Sequence, residues 1–212
     1  MKARAVRVVA FDCDGVMFDS SQANRAYYDR ILEAVGLPAL DAAQFAYAHM
    51  HTVHETLAFL IEDPRLLAAA HDYRLQFNYR PFIPYMVMEP DLRQLLDWLR
   101  PAYKTAVATN RTDTMAHVLA RHSLQGAFDR VVTALDVCHP KPHPEPLLAL
   151  LEHFAVHPEQ MIYVGDSELD ATAARRAGVP FVAYANPLLP ADLHISRLGQ
   201  IREFLEARKV KD

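Results

Sequence analysis

The chain reads as a three-layer α/β/α protein, a doubly wound parallel sheet with an inserted α-helical block lying beside its carboxyl edge. Three observations predict this. Apolar runs at 6–11, 105–109, 161–164 and 181–184 are short and mostly rich in β-branched residues, as buried parallel strands are. From Lys104 onward such runs alternate with helical patterns, the signature of crossover-connected strands. Residues 20–80 are helical in pattern almost throughout, so a helical insert separates the first strand from the others.

Each element has a local reason. Val6-Arg7-Val8-Val9-Ala10-Phe11, bounded by Gly15, forms the first strand. Ser20 or Ser21 caps a helix that ends near Gly36, a residue suited to a helix C-terminus. Asp41 caps a long second helix through about residue 61, and Pro64 opens a third that runs toward Tyr79. Pro81-Phe82-Ile83-Pro84 is a stiff breaker where the chain returns from the insert. A helix at 91–100 follows, then strand 105–109, helix 112–122, strand 131–133 and helix 145–154. Strand 161–164, helix 169–177 closed by Gly178, strand 181–184 and an amphipathic helix at 197–208 complete the pattern. The expected division is a core of residues 1–18 and 85–212 and a helical cap of residues 19–84.

A chain of 212 residues with 51% hydrophobic and 23% charged residues has ample material for a core. A net charge of −4 gives no support for nucleic-acid binding. No apolar stretch approaches the roughly 18–20 residues of a membrane span, and Met1-Lys2-Ala3-Arg4 does not open a signal peptide. Cys13 and Cys138 make no secreted disulfide framework, so a cytoplasmic enzyme is expected.

Asp12-Cys13-Asp14-Gly15 follows directly on the first strand. Extended backbone alternates its side chains, so the two carboxylates share a face while Cys13 turns to the core. Ligands of open α/β sheets bind at the carboxyl ends of strands. There, one carboxylate can act as a nucleophile and the other can carry a proton.

Four segments together resemble the motifs of the haloacid dehalogenase-like hydrolase superfamily. They are Asp12-Cys13-Asp14-Gly15-Val16-Met17-Phe18-Asp19-Ser20, Val107-Ala108-Thr109-Asn110, Lys141-Pro142-His143-Pro144-Glu145 and Gly165-Asp166-Ser167-Glu168-Leu169-Asp170. They stand in the superfamily's order and span residues 6 to about 185. The resemblance implies a Rossmann-like core and a Mg2+-dependent phosphatase. Asp12 would be the nucleophile that forms an aspartyl-phosphate, and Asp14 the acid and base. Thr109, with the Asn110 backbone N–H, would hold a phosphate oxygen, and Lys141 would neutralise charge on nucleophile and phosphoryl group. Mg2+ would be held by Asp12, the Asp14 backbone carbonyl and Asp166, with Asp170 orienting Lys141 or a metal-bound water. An acid at position 14 distinguishes phosphoester chemistry from the dehalogenase and phosphonatase branches.

The insert resembles the small helical caps of the phosphoglycolate phosphatase and β-phosphoglucomutase branch. Mutases of that branch carry a histidine where this chain has Asn24, and a glycine and an arginine in the stretch matching Met50-His51-Thr52-Val53-His54-Glu55. Both departures argue against mutase activity and mark Asn24, His51, Thr52 and His54 as the residues that would set selectivity. His51, His54 and Glu55 also share a helical spacing compatible with a metal, a solvated cluster being the plainer reading. Arg74, Tyr79 and Arg80 could meet an anionic substrate tail or simply form a solvated face. The expected substrate is a small phosphorylated metabolite, phosphoglycolate-like or a sugar phosphate, handled by a monomer or homodimer without nucleic-acid or membrane partners. A phosphomutase or pyrophosphatase, or a non-catalytic module binding a phosphorylated ligand, are the alternatives.

Overall fold

Apolar strands separated by amphipathic helices form a parallel sheet because each crossover helix covers one of its faces. The computed structural model of the chain describes residues 5–209. In order, the elements are β1 (Val8–Phe11), β2 (Phe18–Asp19), α1 (Ser21–Ala34), α2 (Ala42–Met50), α3 (Val53–Leu60) and α4 (Pro64–Phe77). A 3₁₀ turn over Arg80–Tyr85 leads to β3 (Val87–Met88), α5 (Leu92–Leu99), β4 (Lys104–Ala108), α6 (Met115–Arg121) and β5 (Arg130–Val132). Then come α7 (Glu145–Phe154), β6 (Met161–Gly165), α8 (Glu168–Ala177), β7 (Phe181–Tyr184), β8 (Leu193–Ile195) and α9 (Gly199–Lys209).

The strands of the main sheet lie in the order β5-β4-β1-β6-β7-β8, all parallel. From β1 the chain builds outward through β4 to β5, then crosses back to β6 on the other side. The reversal beside β1 is the kind of switch point at which ligands bind in open α/β sheets. Alternation decides what each face meets. Val9 and Phe11 join the cluster containing α5, α6 and α9 residues such as Leu96, Val118 and Leu205. Val8 and Ala10 join the one formed with Leu147 and Leu150 of α7 and Ala173 of α8.

Helices α1 to α4 pack on one another beside this sheet, and α1 also packs on the 3₁₀ turn. Tyr27 lies at the aromatic centre of the insert, with ring contacts to Phe77, Tyr79 and Phe82 at 4.9–6.0 Å. The chain enters the insert through β2 and leaves it through β3, and these two short strands pair antiparallel.

Two expected helices need correction. The single helix expected from Asp41 to about residue 61 is two helices. His51 and Thr52 are extended, and Thr52 starts α3 with a reciprocal capping box to Glu55. The helix expected at 112–122 starts only at Met115, and the three residues 112–114 line the cavity described below. β8 and the β2–β3 ribbon were not predicted; with two or three residues each, they leave too little periodicity to read.

Candidate active site

The strands deliver the core residues to one edge. Asp12 follows β1, Thr109 follows β4 and Asp166 follows β6, while Lys141 lies in the loop between β5 and α7. The Asp12 carboxylate accepts the Cys13 N–H at 2.7 Å and the Lys141 ammonium at 2.8 Å, both on Oδ1. Lys141 Nζ also lies 2.6 Å from Asp170 Oδ1 and 3.0 Å from the Tyr163 hydroxyl, so its three protons are all taken. Tyr163 is itself 2.9 Å from the Ala108 carbonyl. Asp170 Oδ2 accepts the N–H and hydroxyl of Ser167, closing the capping box of α8. One carboxylate thus starts a helix and orients a buried lysine.

This cluster holds more negative than positive charge. Burial pushes the Asp12 carboxyl up to about 7 against the pull of Lys141, and pushes Asp166 up to about 8 with help from Asp170 and Asp12. Burial alone would lower the Lys141 ammonium, but Asp12 and Asp170 raise it above its ordinary value. Ligand oxygens of Asp12, Asp166 and Asp170 lie within 4.8 Å of one another. Three carboxylates facing one ammonium form a hard, anionic oxygen set that fits a divalent cation such as Mg2+. Asp170 already spends both oxygens on Lys141, Tyr163 and Ser167, which leaves Asp12 and Asp166 as the open donors. The backbone makes room for this. A Cβ on Gly15 would collide with the Asp166 carboxylate, and Gly15 has φ +76°.

Asp14 stands in a different environment. Its Oδ1 is 2.6 Å from Arg111 Nη2 and also accepts a hydrogen bond from the Ser20 hydroxyl. Burial would raise this carboxyl, but Arg111 overcomes it and holds Asp14 below the ordinary carboxylate value. Of Ser20 and Ser21, expected as alternative caps of α1, Ser20 stands at the N-cap, but its side chain makes no cap hydrogen bond. Arg111 continues to the insert, with Nη2 3.2 Å from the Tyr79 hydroxyl and the guanidinium 4.7 Å from that ring's centre. The Tyr79 hydroxyl donates to Asn24 Oδ1, and Asn24 Nδ2 lies 3.2 Å from His49 Nδ1. Arg111, Tyr79 and His49 therefore belong to the constellation. Sequence reasoning overlooked Arg111 and His49, although Arg111 directly follows the Thr109-Asn110 pair.

Thr109 is buried and faces the cavity, its Oγ1 accepting the Arg111 N–H at 3.2 Å. The Asn110 side chain clasps the Lys141 backbone, accepting its N–H and donating to its carbonyl, each at 3.0 Å. Its Nδ2 also reaches the Met50 carbonyl of the insert at 3.3 Å. A cavity of about 70 Å³ lies between sheet edge and insert, with Asp12, Asp14, Thr109 and Arg111 on one side and His49, Arg74 and Tyr79 on the other.

Of the selectivity candidates, Asn24 and His51 line this cavity, the His51 ring stacked 3.7 Å from Tyr47. Thr52 and His54 do not. Thr52 is buried and bonded to Glu55, and His54 stacks on His71 at 5.0 Å. The break at 51–52 also removes the shared helix on which His51, His54 and Glu55 were aligned. Arg74 faces the cavity, whereas Arg80 turns away to His117 at 3.0 Å.

A doubly wound sheet with an acid-rich carboxyl edge under a helical insert defines a hydrolytic enzyme of a particular architecture. The chain belongs to the haloacid dehalogenase-like hydrolases, whose family model matches residues 9–184. It is 29% identical over 206 residues to a phosphoglycolate phosphatase of Salmonella typhi, covering 85% of this chain and 82% of that one. Among solved structures, a haloacid dehalogenase-superfamily hydrolase of Geobacter sulfurreducens PCA is 42% identical with a TM-score of 0.78, covering 94% of this chain and 96% of the other. A protein described as a predicted phosphoglycolate phosphatase, from Haemophilus somnus, shares the fold at 20% identity and a TM-score of 0.85, covering 94% of this chain and 97% of that chain. Among the described residues, no helix is long and apolar enough to cross a membrane.

Proposed function

We propose that this hydrolase is a Mg2+-dependent phosphatase of small phosphorylated metabolites, phosphoglycolate-like or sugar phosphates, working through an aspartyl-phosphate. The observation that carries this reading is that Asp12, which lines the cavity, is paired at 2.8 Å with the buried Lys141 behind it. Asp12 attacks phosphorus, breaking the ester bond as the new acyl–phosphate bond forms. Asp14, ionised beside Arg111 in the free protein, must take up a proton as substrate displaces that guanidinium; it then gives this proton to the leaving alkoxide and takes one from the water that later cleaves the intermediate. Lys141 stabilises charge on the transferring group, and Thr109 holds one of its oxygens. Asp12, the Asp14 carbonyl and Asp166 would hold Mg2+, which when bound supplies charge neutralisation at the phosphoryl oxygens.

Residues 19–84 act as the cap and residues 1–18 and 85–212 as the catalytic core, in a cytoplasmic enzyme that works as a monomer or homodimer. The 29% identity to a phosphoglycolate phosphatase supports a compact substrate.

The test is phosphate release from a panel of phosphometabolites, phosphoglycolate included, with and without chelator. Activity should vanish on chelation and return with Mg2+, and Asp12→Asn should neither turn over nor carry a phosphoryl adduct. Full activity in excess chelator, or an adduct on another residue, would refute the reading.

A further inference from the structure

The loop that turns Lys141 inward turns its neighbours outward. Lys141 is 2% exposed, whereas the His139 and His143 side chains are 67% and 47% exposed. Glu145, in the first turn of α7, closes the same stretch of chain. Its carboxylate is held in place by backbone N–H groups, Cys138 donating to Oε1 at 2.8 Å and His139 to Oε2 at 2.9 Å. Oε2 is 2.9 Å from His139 Nδ1 and 3.7 Å from His143 Nδ1, and the two imidazole rings stand 4.7 Å apart. The Glu145 N–H points at His143 Nδ1 at 3.3 Å, which leaves Nε2 as the free nitrogen of that ring.

The ligand atoms of these three side chains lie within 4.8 Å of one another. In a tetrahedral site with bonds of about 2.0–2.2 Å, neighbouring ligand atoms stand roughly 3.3–3.6 Å apart. His139 Nδ1 stands 2.9 Å from Glu145 Oε2, a little inside that spacing, and the exposed His143 ring brings its free Nε2 to the same carboxylate by rotating. The supporting chain is already braced. Asn110 clasps the Lys141 backbone, and Arg176 Nη1 donates to the Pro142 carbonyl at 3.2 Å. Two imidazoles with one carboxylate favour zinc-like ions, whereas the all-carboxylate set at Asp12 and Asp166 favours harder ones.

We propose that His139, His143 and Glu145 form a site for one transition-metal ion of the Zn2+ class, with water completing its coordination. The site lies on the outer face of the loop that presents Lys141, and an ion there would tie both flanks of that residue to α7. This inference does not depend on the substrate, on the phosphatase reading or on occupancy at Asp12 and Asp166.

Co2+ is the probe, titrated into untagged full-length protein held in excess Mg2+ so that the carboxylate site is filled. One saturable equivalent should give the visible ligand-field bands of low-coordinate cobalt, and Zn2+ should bleach them. His143→Gln and the double variant His139→Ala/His143→Ala should each weaken binding at least roughly tenfold, the lower end of what losing even an outer partner of a metal ligand costs. Asp166→Asn should bind Co2+ as the unmodified protein does. No saturable band, a band unchanged in the double variant, or a band lost in Asp166→Asn would overturn the proposal.

Discussion

Two aspartates two residues apart are given opposite surroundings by the folded chain. Asp12 faces Lys141 within a cluster dominated by carboxylates; Asp14 faces Arg111 within a polar bridge to the insert. Lys141 is the cation shared by Asp12 and Asp170, so Lys141→Met removes a preorganised charge from the proposed nucleophile. Turnover should fall by roughly 10²–10³, measured as kcat on the best substrate of the panel. A loss under about threefold would reduce Lys141 to a structural role. The Arg111–Asp14 pair is also testable as a stability element, since its side chains are 7% and 15% exposed. Arg111→Met leaves the half-buried Asp14 carboxylate at the cavity wall without its cation and should cost roughly 1–3 kcal/mol in urea unfolding. The double variant Arg111→Met/Asp14→Asn should lose clearly less than the sum of the single changes, because the two residues serve one contact. Strict additivity would show that the contact carries no coupling.

At the scale of elements, the break between α2 and α3 matters most. An uninterrupted helix would have carried Met50 to Glu55 past the cavity on one continuous spiral. Instead the extended pair His51 and Thr52 stacks His51 on Tyr47 at the cavity wall and sends Thr52 inward as a cap. Thr52 Oγ1 receives the Glu55 N–H at 3.3 Å and donates to Glu55 Oε2 at 2.7 Å. Thr52→Ala should therefore destabilise the protein by about 1 kcal/mol, read as a lower urea midpoint with an unchanged m-value. The signature Thr52-Val53-His54-Glu55 was present in the chain as a capping box, but the apolar positions on either side imitate a continuous helix. Element existence and order in the core were legible because strand and helix periods differ and alternate there. Two- and three-residue strands were not, since pairing partners rather than periodicity make them strands.

For the molecule as a whole, the carboxylate excess at the sheet edge couples folding to pH and to cation binding. In metal-free protein, Asp12 and Asp166 hold their protons to about 7 and 8, against an ordinary value of 3.8 in the unfolded chain. Between those limits the folded state binds more protons than the unfolded one, so stability declines as pH rises. Below about pH 6.5 the lowered His54, His71 and His122 act in the opposite sense, so thermal melts of chelated protein from about pH 6.5 to about pH 8 should show a falling Tm. Mg2+ should raise the Tm most at the upper end, where the carboxylates are ionised and ready to bind it. A Tm that rises across this window without metal would contradict the arrangement.

By itself, the amino-acid sequence determined the architecture and the residues that the sheet's carboxyl edge presents. Period-2 and period-3.6 patterns are local, and the acids, lysine and threonine of the core stand at strand ends or in loops that the pattern exposes. The same local logic paired Asp12 with Asp14 and set Cys13 in the core, where it is buried. Tertiary structure alone decided which cation each acid meets. Lys141 reaches Asp12 across 129 positions of chain and Arg111 reaches Asp14 across 97, distances at which no spacing rule operates. It also decided which insert residues face the cavity, bringing Arg111, Tyr79, Asn24 and His49 into one bridge while turning Thr52 and His54 away. Helix crossing and burial set those orientations, and neither is written in any single stretch of the sequence.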